Sequence, residues 1–91
     1  MSDDNNYEEI PIENGVQPLD SLMEHLGMTN HDIVESFEGQ LTHKTVMKAR
    51  RGRKISRKLQ LKVLQALNTK LMEIDPEQES KSREDLFNYG Y

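Results

Sequence analysis

Helix-breaking residues at Pro18, Gly27, Gly39, Gly52 and Pro76 divide the middle of this chain into short segments, and that punctuation limits what it can fold into. Between the breaks, apolar residues recur at helical rather than strand spacing. Pro18 opens a first helix with Leu19, Leu22, Met23 and Leu26 on one stripe, because the fixed φ of proline suits a first turn. Gly27 closes it. Thr29 or Asn30 caps a second helix running to about Phe37, with Asp32 in its first turn and Ile33, Val34 and Phe37 inward. Gly39 marks the next turn. Thr42 caps a third helix reaching about Arg51, and Gly52 breaks it. Ser56 caps a fourth, on which Leu59, Val63, Ala66, Leu67 and Leu71 share one wide face. Pro76 lies just past its end.

The reading is therefore all-α: a compact bundle of four to five short helices. The bundle occupies residues 18–75, between an acidic, disordered or loosely docked arm (1–17) and an acidic C-terminal tail (76–91). Ninety-one residues hold one domain, and with 34% hydrophobic residues the core must be small. There is no cysteine, so neither disulfides nor a cysteine zinc site can support the fold. No apolar run approaches the ~20 residues that span a bilayer. The opening Met-Ser-Asp-Asp-Asn-Asn is unlike a basic, then apolar, secretory signal. The expectation is a cytoplasmic protein with no membrane association.

Charge is distributed unevenly. The formal net charge is -4. Yet no acid occurs between Gly39 and Met72, where ten of the twelve bases fall: Lys44, Lys48, Arg50, Arg51, Arg53, Lys54, Arg57, Lys58, Lys62 and Lys70. Solvated faces normally mix both signs. A one-sided segment repels itself unless an anionic partner, or the acidic arms, compensates it.

Other chemistry is poorly represented. His25, His31 and His43 fall on different helices or caps without metal-ligand spacing, and His25 and His31 read as surface residues. Glu35 and Glu38 sit three apart on one exposed face. No nucleophilic triad or phosphate-binding glycine loop is recognisable. Neither a catalytic site, a metal nor a cofactor is expected, and the chain reads as a non-enzyme.

The second and third helices, joined by a glycine-containing turn, form a helix-turn-helix arrangement. Leu41, Thr45, Val46 and Ala49 face inward on the third helix, while His43, Lys44, Met47, Lys48 and Arg51 face outward. A major groove ~12 Å wide admits one such helix. Arg53, Lys54 and Arg57 then stand at the start of the fourth helix, where N–H groups and bases together can grip phosphate. Met47 has two readings, contact with a thymine methyl or a place in the core.

The stretch from Leu41 to Arg53 (LTHKTVMKARRGR) resembles the recognition helix of the lambda-repressor-like helix-turn-helix domains. Leu41, Thr42, Val46 and Gly52 follow that family's spacing, and residues 63–67 resemble the apolar close of its fourth helix. The resemblance covers roughly residues 18–71. It implies a transcriptional regulator that binds double-stranded DNA through Thr42, His43, Lys44, Met47, Lys48 and Arg51, with Asn30 on phosphate. The chain departs from the family in a turn two residues longer between Val34 and Leu41. It departs also in Val34 itself, where a small residue is usual, and in Arg50, where the family often has glutamate and which is expected to extend the basic patch. One such module buries little surface, so a homodimer is expected, with Leu61 and Met72 as its contacts. The alternative is an interaction adaptor, antitoxin-like or polymerase-associated, that keeps the fold and binds a protein, with the acidic tails offering a further protein contact.

Overall fold

The computed structural model describes residues 15–89. Five helices follow one another: α1 (Pro18–Leu26), α2 (Asn30–Glu35), α3 (His43–Arg51), α4 (Arg57–Ile74) and α5 (Arg83–Leu86). No strand occurs among the described residues. The helix starts follow the sequence signals: Pro18 is the first residue of α1, and Thr29, Thr42 and Ser56 cap α2, α3 and α4. α2 is shorter than its apolar pattern suggests. It stops at Glu35, and Phe37 packs against the core from the turn that follows. Seven residues, Ser36 to Thr42, then connect α2 to α3.

The core draws one or two residues from each short helix and a full stripe from α4. Leu19 and Met23 of α1, Ile33 of α2, Val46 and Ala49 of α3, and Val63, Ala66, Leu67 and Leu71 of α4 are buried, joined by Met28, Leu41 and Ile55 from the connections. α1 packs on α3 and α5, α2 on α3 and α4, and α4 on α3 and α5. The inward faces read from the periodicity of the third and fourth helices are the ones buried, with Thr45 and Leu59 only half-buried. Leu61 and Met72, outside those stripes, are 45% and 62% exposed.

The acidic stretch 76–91 is not a tail where it can be described. Leu86 and Phe87 are fully buried, and Phe87 is the largest completely enclosed side chain. Two adjacent apolar residues carry no helical period, so only tertiary packing reveals their role. The domain thus continues through residue 89 rather than ending at 75. At the other end, residues 1–14 of the expected arm lie outside the described residues. Its last residues belong to the fold: Gln17 is 1% exposed and its N–H donates to the Arg50 carbonyl at 3.0 Å.

Gly52 is where this N-terminal segment and α3 meet. Its φ of +93° already disfavours any side chain. A Cβ there would also lie 1.8 Å from the Gly15 carbonyl oxygen. The glycine that ends the third helix is therefore needed twice, for backbone hand and for close approach.

Candidate nucleic-acid interface

The outward side of α3 and its junction with α4 form the candidate site. Thr42, His43 and Lys44 are exposed at the start of α3, and Met47, Lys48 and Arg51 are half-exposed along it. Beyond Gly52 follow Arg53, half-exposed, and Lys54, Arg57 and Lys58, all exposed. Except for Asn30, the residues read as DNA contacts thus occupy one continuous stretch of chain, from the cap of α3 to the first turn of α4.

The acid-free segment separates into two populations of bases. Arg50 turns inward: Nε donates to Asp20 Oδ1 at 2.6 Å and Nη1 to Asn30 Oδ1 at 2.8 Å, with 17% of its side chain exposed. It ties α1, α2 and α3 together and does not extend the basic patch, contrary to expectation. Lys70 lies 3.9 Å from Asp32 and 3.6 Å from Glu73. Lys62 donates to the Gln40 carbonyl at 3.2 Å and sits 5.8 Å from the centre of the Phe37 ring. By contrast, Lys44, Lys48, Arg51, Arg53, Arg57 and Lys58 form no ion pair among the described residues.

The helix ends divide the same way. α2 begins with a reciprocal cap, in which Thr29 N–H donates to Asp32 Oδ2 (2.8 Å) and Asp32 N–H donates to Thr29 Oγ1 (3.1 Å). Hydrogen bonds to the carboxyl from the Thr29 backbone and, secondarily, its side chain hold Asp32 below its ordinary range, helped by Lys70 and His31 nearby. At α5 the Ser82 N–H and hydroxyl donate to Asp85 Oδ2 (2.8 and 3.1 Å), and its carboxyl is lowered for the same reason. α1 carries Asp20, bound by Arg50. Among the helices of the described residues, α3 and α4 alone have no acid in the first turn. Neutral hydroxyls cap them instead, Thr42 Oγ1 accepting from Thr45 N–H (3.1 Å) and Ser56 Oγ from Leu59 N–H (3.2 Å). Their positive helix ends therefore keep their attraction for an external anion.

Three sequence-read residues have neighbours that sequence order does not reveal. Asn30 uses its Oδ1 on Arg50, which leaves its amide as the group able to donate to a phosphate. His43 does not stand among bases alone: its ring lies parallel to that of His31, 5.8 Å between centres and 7° between planes, and His31 pairs with Glu35 at 3.0 Å. Met47 is neither fully core nor fully outward. With Val16, Asp20, Arg50 and Arg51 it lines a shallow cleft of about 330 Å³.

Tyr89 carries no signal in the sequence, yet its hydroxyl sits inside the α3–α4 connection, accepting from Ile55 N–H (3.1 Å) and donating to the Arg53 carbonyl (3.2 Å). Nothing local to residues 89–91 signals that contact across 34 residues. The chain matches no family model, no curated protein and no solved structure.

Proposed function

We propose that this chain is a sequence-specific DNA-binding regulator that lays α3 in a major groove and sets the α3–α4 junction against the sugar-phosphate backbone. The carrying observation is the sorting of its bases. Those that the fold uses are paired, while six on one stretch, running from the first turn of α3 to the first turn of α4, have no acid partner among the described residues, and both of those helix starts lack a carboxylate. At nine residues, α3 is about 14 Å long, comparable with the ~12 Å groove it would occupy. In this reading α2 and α3 are a helix-turn-helix of the lambda-repressor-like kind, with a lengthened turn. His43, Lys44 and Lys48 reach base edges, Met47 offers an apolar contact, and Arg51, Arg53, Lys54 and Arg57 neutralise phosphates.

Leu61 and Met72 stand eleven residues apart on one side of α4, both exposed. They favour a second chain at that stripe, which under the regulator reading is another copy. Under the adaptor reading it is a protein of another kind.

A salt titration on duplex DNA separates the two. Each phosphate neutralised adds about -0.9 to the slope of log K against log salt. The four phosphate contacts of this reading give a slope of about -3.6. Lys44→Ala should cost about 1–3 kcal/mol on the preferred site and much less on random sequence. Absence of binding to any duplex at ~50 mM salt, where electrostatic binding is strong, would transfer the reading to the adaptor.

A further inference from the structure

The α3–α4 connection is short, carries Arg53 and Lys54, and leads directly to Arg57. Such a loop needs an internal partner for its peptide groups, or it samples many conformations. Its first peptide is fixed locally, with Arg53 N–H on the Lys48 carbonyl at 3.1 Å. Two further polar groups inside the loop, the Arg53 carbonyl and the Ile55 N–H, share a single partner, the Tyr89 hydroxyl. One phenol oxygen donates to the first and accepts from the second. It therefore spans Lys54, the exposed residue between them.

We infer that Tyr89 is a positioning residue for the nucleic-acid interface: its hydroxyl sets the conformation in which Arg53, Lys54 and Arg57 meet phosphate. This rests on the DNA-binding reading above.

The hydroxyl is itself held from several sides. The Tyr89 ring meets buried Phe87 edge-on, 5.8 Å between centres. The Tyr89 carbonyl accepts from Gln60 Nε2 at 3.4 Å, and Gln60 Oε1 accepts from Arg83 Nη1 at 3.1 Å, with Gln60 only 1% exposed. One residue earlier, Asn88 N–H donates to Gln17 Oε1 at 2.7 Å, and Gln17 is bound to the Arg50 carbonyl. Both described ends of the chain thus converge on the last turn of α3 and the loop that leaves it. No comparable tie from either end reaches the α2–α3 turn among the described residues.

The division of labour is also chemically sensible. An acid at this point would pin the loop equally well, but it would cancel the bases that the loop presents. A phenol supplies one donor and one acceptor with no charge at neutral pH.

The test uses the full chain and Tyr89→Phe, which removes one oxygen and keeps the ring against Phe87. Amide hydrogen exchange should show the Ile55 N–H losing protection while the amides of α1 and α4 keep theirs, with cooperative melting retained. On random duplex DNA, the log–log salt slope should become less negative by about one unit, the loss of one phosphate contact. That amounts to about eightfold weaker binding at 0.1 M salt, relative to the extrapolated value at 1 M. A Tyr89→Phe protein with the parent's slope and affinity, measured well below its melting temperature, would overturn the inference and leave the DNA reading standing. A parent protein that binds no duplex would overturn both. Loss of affinity through a general fall in stability would appear as lost protection throughout α1 and α4, and it too would reject a positioning role.

Discussion

The N-termini of α2 and α5 and those of α3 and α4 solve one problem in opposite ways. Every helix start leaves N–H groups without intrahelical partners. At α2 and α5 an aspartate three residues in closes the end, and its negative charge offsets the helix dipole. At α3 and α4 a threonine and a serine satisfy the hydrogen bond alone, and lysine or arginine stands in the first turn, where the dipole disfavours it. The second arrangement is worse for an isolated helix and better for receiving an anion. Under the DNA-binding proposal, stability and binding are allotted to different helix ends.

The largest effect expected from this contrast falls on the structural side. Phe87→Ala, just beyond α5, should destabilise the domain by about 3–5 kcal/mol, a large part of the ~5 kcal/mol expected for a domain this small. Urea denaturation followed by circular dichroism measures it. A chain ending at residue 75 should likewise lose its cooperative melt. A stable protein without Phe87 would place the C-terminal segment outside the fold and leave α5 nothing to support.

The second effect separates the two properties within one substitution. Arg57→Glu puts an acid into the first turn of α4, giving that helix start the negative charge that α2 and α5 have. Stability should hold or rise by about 0.3–1 kcal/mol. Binding to random duplex should fall, because one phosphate contact is lost and a repulsion is added, so the salt slope should flatten by at least about one unit. A variant less stable than the parent yet equally able to bind would reverse the assignment of α4.

The smallest effect is in acid. The Asp32 and Asp85 carboxyls are both held below the ordinary aspartate value of 3.8, chiefly by hydrogen bonds from Thr29 and Ser82. The unfolded chain therefore takes up these protons first as pH falls. The stabilisation from the two caps is present above about pH 4 and is lost as pH drops through the depressed folded-state values. Asp32→Asn should flatten that acid limb in a pH series of denaturation curves. Near neutral pH it should leave DNA affinity unchanged, since α2's start is a structural end. An acid limb identical to the parent's would remove the cap from the account.

The sequence made the helix boundaries and most of the core legible, because those depend on local rules. Pro18, Thr42, Gly52 and Ser56 act through their own backbone geometry or a bond three residues away, and the stripe from Val63 to Leu71 repeats with the helix itself. What stayed hidden depends on distance along the chain. Arg50 counts as one more base until Asp20, thirty residues earlier, is placed beside it. Leu86 and Phe87 look like part of an acidic tail until α1 and α4 enclose them. His31 reads as an isolated surface residue until α3 brings His43 alongside. Charge read as a run along the chain therefore overstated the patch by including Arg50, Lys62 and Lys70, and it missed the Tyr89 hydroxyl that bonds inside the α3–α4 loop.

Amide chemical shifts followed during titration with a short random-sequence duplex test the central claim most directly, since all five helix ends report in one experiment. Perturbations should concentrate from Thr42 to Lys58, covering the starts of α3 and α4 and the loop between them, and fade as salt is raised. The amides of Asp32 and Asp85 should stay where they are. Perturbations centred instead on Leu61 and Met72, or on the capped ends of α2 and α5, with residues 42–58 unmoved, would contradict it.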